Sequence, residues 1–176
     1  MRVNTIMGDL LKADVDVVVH QISSMPYKSH GLSKSIATRF KWADQYGHRT
    51  QMGNRNLATP ETRPECGSIV TSFNPEDVGC PRAVVGIVGQ LDFGMPGYKW
   101  SRVDTVEDSA TKRLLWFEEG LTRTLEWTVS KGYKTVALPH LIGCGLAGGN
   151  WAKYSAIIDD VAALYPGLII QLVKLC

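Results

Sequence analysis

Short apolar runs alternate with longer stretches of helical period along this chain. Residues 2–7, 16–22, 67–73, 83–90, 134–139 and 168–173 read as strands. The unbroken Val17-Val18-Val19 run marks the second as buried on both faces. Helices are expected over 32–42, 107–131 and 151–164. In the first, Leu32, Ile36, Ala37 and Phe40 share a face; in the second, Leu114, Phe117, Leu121, Leu125 and Val129 follow the spacing of a buried stripe. Trp116 and Trp127 read as packing residues of that helix. Lys131-Gly132 is a fitting helix stop, Asn150 a candidate cap for the third helix, and Pro166-Gly167 its terminator. Residues 43–64 are polar and poorly periodic, a long loop with room for a short helix.

Six continuous apolar strands alternating with three helices predict an α/β fold with helices on both faces of one sheet. In such sheets ligands bind beyond the carboxyl ends of the strands. The 176 residues fit a single domain, 1–176. Hydrophobic residues at 44% and charged residues at 20% are ordinary globular composition and exclude a disordered chain. A net charge of +2 excludes a protein that coats nucleic acid by bulk charge, so any bound anion must be held by a local site. Cys66, Cys80, Cys144 and Cys176 have neither zinc spacing nor the density of a secreted framework, and read as free thiols in a reducing compartment. His30, His48 and His140 also lack metal spacing. No metal and no cofactor is expected. Without a signal peptide or a membrane-length apolar run, the expected protein is a cytoplasmic or nuclear monomer, neither secreted nor membrane-bound.

Three loops after strands carry the candidate chemistry. Gly143-Cys-Gly-Leu-Ala-Gly-Gly149 joins a strand to a helix, where glycines let backbone N–H groups approach a phosphate and the helix N-terminus favours an anion. Gly143, Gly145 and Gly148 spell GxGxxG. However, Asp159 and Asp160 fall inside the following helix and only one strand remains, which argues against a dinucleotide fold. No Lys-Ser/Thr follows, so it is not a Walker loop. A second loop, 23–31, follows the most buried strand, which ends in His20 and Gln21, and leads into Gly31-Leu32-Ser33, a second phosphate-capable helix start. The third is Gly8-Asp9-Leu10-Leu11, whose aspartate can cap a turn or accept a hydrogen bond from an exocyclic amine.

Taken together, GDLL at 8–11, VDVVVHQ leading into HGLSKSIATRF, and ALPHLIGCGLAGGNW, in this order over nearly the whole chain, resemble the macro domain family. The resemblance implies a three-layer α/β/α sandwich with a mixed six-stranded sheet. It implies ADP-ribose, or an ADP-ribosylated molecule, as the partner. Asp9 and Leu10 would then read adenine. Gln21, Ser23, Gly31, Leu32 and Ser33 would line the first loop. Gly143, Cys144, Gly145, Leu146, Ala147 and Gly148 would hold the diphosphate.

The catalytic motifs of the family differ from this chain in informative ways. The commonest hydrolytic branch carries Asn-Ala-Ala-Asn and three glycines; here His20-Gln21-Ile22-Ser23 stands, with only Gly31 before Leu32. The branch that cleaves ADP-ribose from glutamate has an Asp after GCGL, where this chain has Ala147. His20 matches the histidine of the yeast-type ADP-ribose-1″-phosphate phosphatase. With Asp92 as its carboxylate, the expected reaction is hydrolysis of the 1″-phosphate, His20 orienting or deprotonating water. The alternatives are a non-catalytic reader of protein-linked mono- or poly-ADP-ribose, or an ADP-ribosyl hydrolase. A nucleophilic Cys144 is the weaker reading beside a small residue in a crowded loop. Lys28, Lys34, Arg39, Lys41, Arg49, Arg55 and Arg63 face only Asp44 and Glu61 in their stretch. A solvated surface explains them better than a nucleic-acid partner.

Overall fold

The computed structural model describes residues 3–98 and 106–176. Its strands are β1 (Val3–Met7), β2 (Val17–Ser23), β3 (Ile69–Phe73), β4 (Ala83–Gln90), β5 (Thr135–Pro139) and β6 (Ile169–Lys174). The α-helices are α1 (Gly31–Arg39), α2 (Ala110–Ser130) and α3 (Trp151–Ala163), and short 3-10 turns cover Leu10–Lys12, Lys41–Ala43 and Pro60–Thr62. Arg2, the expected start of the first strand, lies outside the described residues.

The strands form one sheet in the order β1-β6-β5-β2-β4-β3. Neighbours are parallel except β3, which runs antiparallel to β4. The carboxyl ends of β1, β6, β5, β2 and β4 therefore share one edge. Strand alternation divides the core. Val17 and Val19 of β2 pack with Phe117, Leu121 and Leu125 of α2 and with Ile158 of α3. Val18 packs on the other face, with Ile36 and Phe40 of α1. Three layers result: two helices, the sheet, and α1 with its flanking turns.

Two side chains depart from the helical patterns read in the sequence. Val129 is half exposed, because the buried face of α2 passes through Thr124 and Thr128 instead. Each buries its hydroxyl by donating it to the carbonyl four residues earlier, at 2.7 Å. Leu32 is exposed too, and Ser33 is the buried residue of that turn. The 43–64 segment holds the Pro60–Thr62 turn, the last residue of the Lys41–Ala43 turn and one isolated bridge, between Gln51 and Ala58. The four cysteines are free. Among the described residues no helix is long and apolar enough to cross a membrane, and no three metal-ligating side chains converge.

Candidate functional site

A cleft of about 410 Å³ opens at the shared carboxyl edge, over β5, β2 and β4. Gln21 and Ser23 come from the end of β2, and His30, Gly31, Leu32 and Ser33 from the start of α1. Gln90 ends β4, Phe93 and Gly94 follow it, and Tyr46 comes from the long loop. The opposite wall is Pro139 to Gly143 with Gly145, Leu146 and Ala147. No Asp, Glu, Lys or Arg is among these described lining residues.

The start of α1 has no side-chain cap. Asp9, Ser109 and Asn150 each cap their own helical turn through a side-chain oxygen. His30, at the corresponding position of α1, makes no side-chain cap. Gly31, Leu32 and Ser33 of this first turn line the cleft, at the positive end of the helix dipole. Across from them the glycine loop is folded by its own backbone: Cys144 N donates to Leu141 O at 2.9 Å, Gly148 N to Gly145 O at 3.0 Å, and Gly149 N to Gly143 O at 3.1 Å. Gly143 adopts φ 76°, and a Cβ there would stand 2.5 Å from the Tyr154 ring. Only glycine fits this point.

These features belong to an architecture seen elsewhere. No family model matches the sequence, and no curated protein does either. Solved structures do match. The macrodomain of Mycobacterium tuberculosis DarG superposes with a TM-score of 0.71 at 15% identity, covering 98% of this chain and 96% of that one. The macrodomain of Thermus aquaticus DarG gives 0.67 at 18% identity, covering 98% and 97%. An Oceanobacillus iheyensis macrodomain mutant solved with ADPR gives 0.60 at 14%, covering 97% and 83%. The chain has the macrodomain fold. Its three-layer form with a mixed six-stranded sheet is the one expected from the sequence.

Within the macrodomain fold, the candidate residues separate into three groups. Gln21, Ser23, Gly31, Leu32, Ser33, Gly143, Gly145, Leu146 and Ala147 converge on the cleft. Cys144 and Gly148 share the glycine loop but do not line it. Burial raises the Cys144 thiol pKa, and its Sγ donates to Ile142 O at 3.4 Å, an arrangement opposed to thiolate formation. Asp9 sits after β1 on the same sheet edge, with Oδ1 accepting from Leu11 N at 2.9 Å; Leu10 is buried in the α1-side core.

His20 and Asp92 stand apart from the lining. Val18, His20 and Ile22 alternate onto the face that α1 covers, so the imidazole lies beneath the helix and is 1% exposed. Its Nε2 lies 2.8 Å from Gln45 Oε1 and its Nδ1 3.1 Å from Ser33 Oγ. Desolvation pushes its pKa down to about 4, partly offset by the Gln45 hydrogen bond. A ring so placed neither meets water in the cleft nor takes a proton readily at neutral pH. Asp92 is buried behind the Gln90–Phe93 wall, its Oδ1 accepting from Phe93 N at 2.7 Å. The His20–Asp92 pairing expected from the sequence is therefore not formed through the ring nitrogens, which both serve other residues.

The lowered His20 pKa has a measurable consequence. The unfolded chain takes up this proton near pH 6.5, whereas the folded chain resists until about pH 4. Stability is thus fully present above the unfolded value and falls as pH drops between the two. Wild type is expected to lose about 2 kcal/mol more than His20→Gln between pH 7 and pH 5 in urea unfolding. Equal losses in the two proteins would show that the ring titrates normally.

Sequence reading missed Tyr46, Gln90, Phe93 and the two lining histidines. Tyr46 Oη accepts from Ser23 N at 2.8 Å, and burial raises its pKa, so the phenol keeps its proton. Arg49, counted above among the basic residues of a solvated surface, is instead buried. Its guanidinium stacks 3.8 Å over the Tyr46 ring and donates to Ser24 O and Pro26 O at 3.1 and 2.7 Å. The signal that was present lies in β4: Gly86 and Gly89 interrupt an apolar central strand, the usual sign of a close approach. A Cβ at Gly86 would collide with Gln45 Oε1, and one at Gly89 would stand 2.5 Å from Gln21 Oε1.

Proposed function

We propose that this cleft binds ADP-ribose or an ADP-ribosylated molecule, with the diphosphate between the first turn of α1 and the 141–147 loop. The observation that carries this reading is the wall chemistry: an uncapped helix start faces a glycine loop with no charged side chain among the described lining residues. Such a site holds phosphate through backbone N–H groups and helix dipole. The sheet order supports one layout of the ligand. Adenine lies toward Asp9 after β1, the diphosphate over β5 and β2, and the distal ribose toward Gln90 and Phe93 after β4. The likeness to a macrodomain solved with ADPR supports the same reading.

We further propose binding without turnover as the primary activity. His20 is covered by α1 and engaged at both nitrogens, and Asp92 lies behind the wall. Removal of the 1″-phosphate, or of ADP-ribose from a protein, is the second reading, to be kept only if turnover is seen. Calorimetry with ADP-ribose should show saturable binding; its absence removes the proposal. Incubation with ADP-ribose 1″-phosphate should release phosphate no faster than buffer. Release that vanishes in His20→Ala would restore the phosphatase reading.

A further inference from the structure

Beside the cleft lies a second pocket, of about 300 Å³. Tyr46 lines both and forms a wall they share. Lys28 and Lys34 border the pocket from the α1 side, and Asp44 and Gly47 from the long loop. Gln45, between Asp44 and Gly47 in the chain, donates from Nε2 to Val70 O of β3 at 2.9 Å and to Val84 O of β4 at 3.0 Å. The 44–47 turn is thereby fixed on the β4–β3 side of the sheet, toward which the layout above puts the distal ribose. The opposite border is tied down as well: Lys28 N donates to Asn56 Oδ1 at 2.7 Å, and Arg49 Nη1 to Pro26 O at 2.7 Å. The pocket is therefore preformed.

This pocket is charged where the cleft is not. Lys28 and Lys34 are exposed at its border, and Arg49 is buried against the Tyr46 ring. Among the described residues no carboxylate lies within ion-pair distance of any of the three. The guanidinium also leaves Nε and Nη2 buried without an acceptor. A buried cation with free donors favours negative charge nearby. Asp44 is the one acid of the lining, and its Oδ1 accepts from Tyr46 N at 3.1 Å. Positive charge is thus in excess beside the mouth of the cleft.

We propose that this pocket is an anion site for a carboxylate side chain, Asp or Glu, of a protein that carries ADP-ribose. The inference rests on the ADP-ribose reading and deepens it by naming the partner. ADP-ribose is joined to a protein through its distal ribose, so the residues flanking the attachment emerge on the pocket's side of the cleft. Two lysines suit one or two acidic groups rather than the run of phosphates that a nucleic-acid backbone presents. Leu32, Leu141 and Leu146 of the cleft lining are also exposed, at 37%, 46% and 70%. Such an apolar rim fits a polypeptide better than nucleic acid, whose protein interfaces are more polar and more basic.

The test is calorimetry on the full chain with two synthetic peptides, each ADP-ribosylated at one serine. One carries glutamates on both sides of that serine, the other alanines. Wild type is expected to prefer the glutamate peptide about fivefold, as two partly exposed ion pairs would give, and to lose most of that preference in high salt. Lys28→Ala combined with Lys34→Ala should bring the two peptides level while keeping the affinity for free ADP-ribose. Both side chains are exposed, so the variant folds. Lys28→Arg with Lys34→Arg should retain the preference. Equal affinity of wild type for the two peptides, or a preference that survives the alanine variant, overturns the inference while leaving ADP-ribose binding intact. So does lysine-dependent binding of an ADP-ribosylated single-stranded oligonucleotide that is tighter than binding of the glutamate peptide, which would give the site to nucleic acid. Absence of free ADP-ribose binding by the wild type overturns the binding proposal and this inference with it.

Discussion

ADP-ribose affinity is expected to fall at least about a hundredfold in Gly145→Glu, in a protein that still folds. Gly145 lines the cleft, and a Cβ built there meets nothing within 4 Å. The substitution therefore adds a carboxylate to the cradle without straining the loop. A hundredfold loss is about 2.7 kcal/mol. Two like charges near a protein surface about 4 Å apart repel by about 4 kcal/mol, enough to produce it. Gly143→Ala is the contrasting control, since its positive φ and the Tyr154 ring make it a stability lesion. Calorimetry with thermal melts separates the two effects. A folded Gly145→Glu protein with unchanged affinity would show that the diphosphate does not lie on this loop.

Arg113→Ala is expected to cost about 3–5 kcal/mol of stability, as breaking a buried ion pair does. Arg113 Nε meets Asp108 Oδ1 at 2.8 Å, with side-chain exposures of 3% and 1%. Its Nη2 meets Oδ2 at 2.9 Å, and Nη1 donates to Gly94 O. Asp108 Oδ2 in turn accepts from Gly97 N at 3.2 Å. The pair thus fastens the loop after β4, which forms one wall of the cleft, to the start of α2. Removing the guanidinium strands a buried carboxylate and frees that wall. Urea unfolding should show the loss, and Arg113→Ala combined with Asp108→Ala should cost less than the sum of the singles. A loss under about 1 kcal/mol would mean that water already reaches the pair and screens it.

Both predictions concern the cleft, and they differ in how visible their residues were beforehand. The 143–149 glycines announce themselves, since so many between a strand and a helix exceed what a turn needs. Nothing local distinguishes Arg113 from the other basic residues of a long helix. Its partner is close in sequence, but the burial that gives the pair its weight comes from the packing of α2 on the sheet and of the 94–97 loop on α2. Tyr46 was equally hidden, because an aperiodic loop carries no signal of the face it will cover.

Periodicity and breakers by themselves determined six strands, three helices and the edge where a ligand would sit, because these are consequences of local geometry: side chains alternate along a strand and recur every 3.6 residues along a helix. The alternation even separates Val17, Val19 and Gln21 from Val18, His20 and Ile22. What it does not contain is which face α1 comes back to cover. That was decided only by tertiary packing, which set His20 under the helix against Ser33 and Gln45, and left Gln21 on the cleft. The chemistry of a histidine depends on its water and its partners, and the residues that exclude that water lie 13 and 25 positions away in the chain.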